Sequence, residues 1–249
     1  MQVAAVQHDI VFEDGAATCA RLQTVVAAAV AGGAHLIVLS EMFATGFTMQ
    51  PERIAEPPGG PIEGWLIDQA TRHQVWIVGS IAQRVDGSAV NVAVLAAPDG
   101  RTFRYDKIHP FSFAGEHDHY RAGEKALTVD VDGLRVSIFI CYDLRFADHF
   151  WALANDTDCY VIVANWPEPR REHWRALLRA RAIENQAYVV GVNRVGAVGK
   201  INHVGDSAII DPLGRTLAEG SQVETVLIAE VDAGEVASVR ERFQFLADR

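Results

Sequence analysis

The chain is 249 residues long, 49% hydrophobic and 22% charged, with a formal net charge of −10. Such a chain can bury a substantial core, which excludes disordered and fibrous classes, and its acidic balance argues against a broad nucleic-acid surface, where clustered Lys and Arg must meet phosphate. Three cysteines, Cys19, Cys141 and Cys159, exclude an all-paired disulfide framework and suit a reducing compartment.

Residues 3–6 read as a strand, and the Ala-rich stretch 16–30 as a helix stopped at Gly32-Gly33. Residues 36–39, Leu-Ile-Val-Leu, form an unbroken apolar run that suits a strand covered on both faces, as in the middle of an α/β sheet. A loop at 57–61 leads to a helix over 62–72 and a buried strand over 75–79; hairpins follow across 81–107, with turn signals at Asp86-Gly87 and Pro98-Asp99-Gly100. The second half is read as strand 134–140, helix 148–153, strand 160–164, helix 172–188, strands 188–192 and 207–210, a turn at 211–214, and a last strand over 226–231 before a polar tail. No linker or composition break interrupts this α/β alternation, so one domain over 1–249 is expected. The N-terminal MQVAAVQHD lacks the pattern of a secretory signal, and no apolar run approaches the ~20 residues of a membrane span. A cytoplasmic protein with no membrane partner is the expectation.

Three polar residues stand just beyond strand-like runs: Glu41, Lys107 and Cys141. A thiol attacks a carbonyl or nitrile carbon as the thiolate, which a neighbouring ammonium favours. A carboxylate can take the thiol proton, hand it to the leaving ammonia and later activate water. Each has an ordinary alternative: a cysteine after an apolar strand is usually a small core residue, and a lone Glu or Lys at a strand end is usually solvated. The three together favour acyl-transfer chemistry.

The motifs Leu39-Ser40-Glu41-Met42-Phe43, Tyr105-Asp106-Lys107-Ile108-His109 and Cys141-Tyr142-Asp143-Leu144-Arg145-Phe146 resemble, in order, the glutamate, lysine and cysteine motifs of the nitrilase superfamily of carbon-nitrogen hydrolases. Ala114-Gly115-Glu116-His117-Asp118-His119-Tyr120, and Ala164-Asn165-Trp166-Pro167 leading into Arg181-Ala182-Ile183-Glu184-Asn185-Gln186, resemble its bacterial omega-amidase branch, from which Pro110-Phe111 departs. The resemblance covers nearly the whole chain. It implies a four-layer alpha-beta-beta-alpha sandwich that forms homodimers, a Glu41-Lys107-Cys141 triad, and Glu116 as a second glutamate orienting the lysine or helping proton transfer. It also implies no metal or other cofactor, and a small-molecule amide as substrate.

Backbone N–H of Tyr142 and the Lys107 ammonium would stabilise the oxyanion. Asp143 and Arg145 are expected to form a local ion pair that holds this turn. Phe43 and Trp166 are candidates for the pocket wall, with core packing the alternative. Arg170 or Arg171 could meet a substrate carboxylate. Trp174, Leu177, Leu178 and Ala182 have the spacing of a buried helix face, with Arg181 and Glu184 as an intrahelical pair. Histidines 109, 117 and 119 raise a zinc reading, but His117 and His119 lack recognisable zinc-site spacing. The leading function is an omega-amidase forming a Cys141 thioester; the alternatives are another aliphatic amidase, a nitrilase, an N-carbamoyl hydrolase, a papain-like protease or an idle interaction module.

Overall fold

The computed structural model describes residues 1–248. In chain order the first half carries β1 (Gln2–Gln7), α1 (Gly15–Ala31), β2 (Leu36–Val38), α2 (Pro51–Ile54), α3 (Pro61–His73), β3 (Trp76–Val85), β4 (Ser88–Ala96) and β5 (Thr102–Asp106). The second half carries β6 (Thr128–Val131), β7 (Leu134–Ile140), α4 (Ala147–Ala152), β8 (Cys159–Ala164), α5 (Arg171–Asn185), β9 (Tyr188–Asn193), the hairpin β10 (Val195–Val198) and β11 (Ile201–Val204), then β12 (Ala208–Ile210), β13 (Thr216–Glu219), β14 (Thr225–Glu230) and α6 (Ala233–Arg242).

Two six-stranded mixed sheets result, in the orders β14-β1-β2-β3-β4-β5 and β13-β12-β9-β8-β7-β6. The centres are parallel, β1-β2-β3 in one and β7-β8-β9 in the other, with antiparallel flanks. Alternation along each central strand explains the layers. Val3, Ala5, Leu36, Val38, Trp76 and Val78 enter the core shared with the second sheet, whereas Ala4, Val6, Ile37 and Ile77 face Leu22, Val26 and Leu66 of α1 and α3. Trp174 and Leu178 of α5 cover the outer side of the second sheet. The architecture is therefore the expected α-β-β-α sandwich, and its strands are unbroken apolar runs because both faces are buried.

Three boundaries differ from the sequence reading. Strand β3 continues to Val85 instead of ending at Gly79, because Ile81–Val85 pairs with β4 across the Asp86-Gly87 turn. Helix α5 ends at Asn185, where Gln186 takes a left-handed conformation at φ 47, three residues short of Tyr188. The expected polar tail contains α6, started by Asp232, whose side chain accepts the Gly234 N–H at 3.0 Å, and anchored by buried Val236 and Val239.

Candidate active site

Glu41, Lys107 and Cys141 come together because all three follow strands that end at one edge of the sandwich. Glu41 lies past β2, Lys107 past β5 and Cys141 past β7, while Asn165 and Arg194 follow β8 and β9. This is the carboxyl edge of the parallel strands, the usual site of ligands in α/β sheets. Glu41 and Lys107 come from the first sheet and Cys141 from the second.

Lys107 is buried with its Nζ 2.9 Å from Glu41 Oε1 and 2.8 Å from Glu116 Oε2. Asn91 Nδ2 donates to Glu41 Oε1 at 2.9 Å and to Glu116 Oε1 at 3.3 Å, and its own Oδ1 accepts from Ser80 Oγ at 2.9 Å. Glu41 Oε2 accepts the Asn165 N–H at 2.8 Å, and Asn165 Nδ2 donates to the Glu41 carbonyl at 2.5 Å. The carboxylate is thus tied to both sheets. Burial alone would lower the Lys107 pKa, but Glu116 and Glu41 outweigh it and hold the ammonium well above its ordinary value. Asn91 and Ser80 escaped the sequence reading. The available signal was a polar residue inside the apolar run Ala89-Val90-Asn91-Val92-Ala93, since a buried amide needs partners.

Cys141 sits at φ 47, a left-handed conformation that a non-glycine residue holds only when its surroundings impose it. Asp143 supplies the restraint. Its Oδ2 accepts the Ile140 N–H at 2.9 Å and the Tyr105 O–H at 2.8 Å, and its Oδ1 accepts the His109 N–H at 2.9 Å. Asp143 therefore holds the turn, but without the expected Arg145 pair: Arg145 Nη2 instead meets His173 Nδ1 at 3.2 Å.

Burial raises the Cys141 pKa first, and Glu41 adds to it both by its charge and by its hydrogen bond to the thiol; Lys107 pulls the other way without prevailing. Lys107 does favour the thiolate, as expected of a neighbouring ammonium, but burial and Glu41 outweigh it. Its ammonium is already matched by two carboxylates, so the resting group is a thiol whose proton is shared towards Glu41. The set can move that proton over one hydrogen bond while Lys107 offers positive charge beside it.

A cavity of about 520 Å³ opens over Cys141, with Glu41, Lys107, Tyr142, Trp166, Phe47 and Phe111 among its walls. Trp166 donates its Nε1–H to the Arg170 carbonyl at 2.7 Å, and the Arg145 guanidinium lies 4.8 Å from its ring centroid. Arg145 and Arg170 both line this space. Arg171 does not: it pairs with Asp206 at 2.8 Å. Arg181 and Glu184 form the expected pair, at 2.8 Å.

Phe43 is a correction. It is fully buried on the helix side of the first sheet, 5.7 Å from the Trp65 ring, in a space left by Gly79, and Phe47 is the aromatic of that loop that reaches the cavity. Glu116 sits behind Lys107, completely buried. Among the described residues no group of three or more His, Cys, Asp and Glu side chains is arranged to hold a metal ion.

Comparison with known proteins agrees with this geometry. Residues 2–241 match the carbon-nitrogen hydrolase family model. An omega-amidase of Yersinia enterocolitica is 44% identical over 216 residues, covering 86% of this chain and 83% of its own. A 2-oxoglutaramate amidase of Bacillus subtilis is 38% identical over 86% of this chain and 85% of its own. The crystal structure of a CN-hydrolase superfamily protein from Xanthomonas campestris, solved with an arsenic adduct in its active site, superposes with a TM-score of 0.95 at 36% identity, over 100% of this chain and 97% of that one. With its sandwich, its strand-end Glu, Lys and Cys and these matches, the chain belongs to the carbon-nitrogen hydrolase family, within the nitrilase superfamily.

Proposed function

We propose that the protein is an omega-amidase, which hydrolyses the terminal amide of a small dicarboxylic acid monoamide such as 2-oxoglutaramate or 2-oxosuccinamate to the dicarboxylate and ammonia. The observation that carries this reading is one network of thiol, carboxylate and ammonium opening on a cavity whose wall presents Arg145 against Trp166. Relatives named for that activity support it.

In this reading the Cys141 proton passes to Glu41 as Sγ attacks the amide carbon. The oxyanion is met by Lys107 Nζ and the Tyr142 N–H, each such donor contributing ~3 kcal/mol to the transition state. Glu41 then protonates the amide nitrogen, the C–N bond breaks, and ammonia leaves a thioester. Water gives a proton to Glu41 and its oxygen to the acyl carbon; the C–S bond breaks and the thiol recovers its proton. Glu116, behind the lysine, is a positioning residue, and Asn91 locks both glutamates to one amide. Trp166 and the Tyr142 ring wall the acyl chain, and Arg145 takes the distal carboxylate as a planar, permanently charged fork. The chemistry needs no metal or other cofactor.

A homodimer in the cytoplasm completes the proposal. Exposed Trp151 on α4 and Ile183 on α5 supply apolar surface for the contact, which sedimentation at several concentrations would test. The activity test is ammonia release from 2-oxoglutaramate by the wild type and by Cys141→Ala, with hydroxylamine present to trap the acyl group as a hydroxamate. Equal release by both proteins would remove Cys141 as nucleophile. A preference for amides or nitriles without a free carboxylate would overturn the substrate class.

A further inference from the structure

The Asp143 side chain is 1% exposed, and its carboxylate, with about four acceptor positions to fill, meets four donors. The Ile140 N–H at 2.9 Å and the Tyr105 O–H at 2.8 Å donate to Oδ2, and the His109 backbone N–H donates to Oδ1 at 2.9 Å. The last is the His109 ring, whose Nδ1 also stands 2.9 Å from Oδ1. A carboxylate oxygen offers only lone pairs, so that nitrogen carries a hydrogen and the neutral ring is the Nδ1–H tautomer. Three of the four donors therefore come from residues 105–109, on either side of Lys107.

The same ring reaches the far end of the nucleophile turn. It stacks on Phe146, which closes the turn begun by Cys141, with the ring centroids 3.6 Å apart and the planes 7° from parallel. Phe146 in turn meets the Tyr142 ring edge to face at 5.3 Å. On its other side the lysine segment is held by the first half of the fold, since the Lys107 N–H donates to the Asn91 carbonyl at 2.9 Å. Neither His109 nor Asp143 lines the cavity. The His109 side chain is 21% exposed, a position where a substitution ordinarily disturbs a fold little.

We propose that His109 is a positioning residue, whose ring clasps the nucleophile turn at Asp143 and Phe146 and so fixes the span between the Lys107 ammonium and the Tyr142 N–H. The inference rests on the proposed amide hydrolysis through Cys141 and deepens it. The two oxyanion donors of that reading belong to separate halves of the sandwich, Lys107 following β5 of the first sheet and Tyr142 following β7 of the second. Cys141, at φ 47, holds a conformation that only its surroundings can impose. Donors in such a hole must stand at ~3 Å from the oxyanion, so two halves that meet there need a strut between them. The Nδ1–H bond sets the distance from the lysine segment to the turn, and the stack on Phe146 sets its tilt.

The experiment measures kcat and KM for 2-oxoglutaramate in the wild type, His109→Phe and His109→Asn, with folding checked by urea midpoints. Phenylalanine keeps a ring on Phe146 and removes the donor; asparagine places an amide N–H near the position of Nδ1 and removes the ring. His109→Phe is expected to lower kcat by ~10²-fold while KM stays within about threefold, the mark of an interaction that serves the transition state. His109→Asn is expected to recover at least about tenfold of that loss, a rescue that loss of packing would not allow. Should the variants fail to fold, nitrogen-15 NMR of the histidine-labelled wild type decides: the His109 ring, assigned through its contact with Phe146, is expected to carry its hydrogen on Nδ1 when neutral. A kcat for His109→Phe close to that of the wild type, an Asn variant no better than the Phe one, or a hydrogen on Nε2 would overturn the role of His109 and leave the amidase reading standing. Failure of the wild type to turn over any amide would remove both.

Discussion

Changing Glu116 to Gln keeps the shape of the side chain behind Lys107 and removes one charge. At 2.8 Å from Nζ, and with an effective dielectric constant of ~20, the lost attraction is about 6 kcal/mol. Relief from burying a carboxylate returns several kcal/mol of that, and Glu41 still holds the ammonium at 2.9 Å. The net destabilisation expected is about 1–3 kcal/mol, read as a lower urea midpoint. The effect on the thiol is more telling. Two carboxylates against one ammonium leave an uncompensated negative charge beside Cys141, and Glu116 is among the groups that raise its pKa. Without that charge the thiol ionises more readily, so iodoacetamide should alkylate Cys141 faster in Glu116→Gln than in the wild type at the same pH. The amide turnover should nevertheless fall by ~10²-fold, because the lysine loses the anchor that aims it. Alkylation that is unchanged or slower, or turnover that is unaffected, would refute this account of the network.

Three further outcomes can be checked. The Cys141 pKa is raised in the fold, so the folded state keeps a proton that the unfolded chain releases. Stability is therefore fully present below the ordinary thiol value and falls as pH rises above it, and Cys141→Ala should flatten the alkaline limb of a urea-midpoint against pH curve. For His203 the sign reverses: its pKa is held down to about 4, so its contribution is present above the ordinary histidine value and is lost as pH falls from there through 4. That contribution amounts to about 3 kcal/mol, and His203→Gln should be less sensitive to acid over this window. In Gly79→Ala the new Cβ would stand 2.7 Å from Phe43 Cδ1. It should cost about 1–3 kcal/mol in chemical denaturation and leave KM unmoved, whereas an altered KM at unchanged stability would return Phe43 to the cavity.

The central strands were legible because each is buried on both faces and so reads as an unbroken apolar run. Glu41 and Cys141 were legible because each interrupts the polarity pattern at the end of such a run, whereas Lys107 follows the mixed strand Thr102-Phe103-Arg104-Tyr105-Asp106 and was legible only through its motif. Other features depend on three-dimensional context that local pattern does not carry. Phe43 and Phe47 lie in one loop, and the left-handed turn at Met42, φ 39, precedes the point where Phe43 goes to the core and Phe47 to the cavity. The end of α5 has neither Gly nor Pro; Gln186 takes the left-handed cap as the chain turns from the helix to enter β9 at Tyr188. Arg145 was assigned to Asp143 by proximity in sequence, but that carboxylate is occupied by Ile140, Tyr105 and His109. Asn91 needed only a closer look at one polar residue in an apolar strand.

Because Glu41 and Lys107 belong to one sheet and Cys141 to the other, neither sheet alone contains the proposed nucleophile with its proposed base. Bonds from Asn165 to Glu41 and from Tyr105 to Asp143 cross the same divide. A folding intermediate with both sheets formed but undocked would therefore be chemically silent, and recovery of turnover during refolding would time the closure of the sandwich rather than the formation of its strands. The chain has in effect a built-in interlock: the thiol meets its carboxylate and ammonium only once the molecule around them is complete.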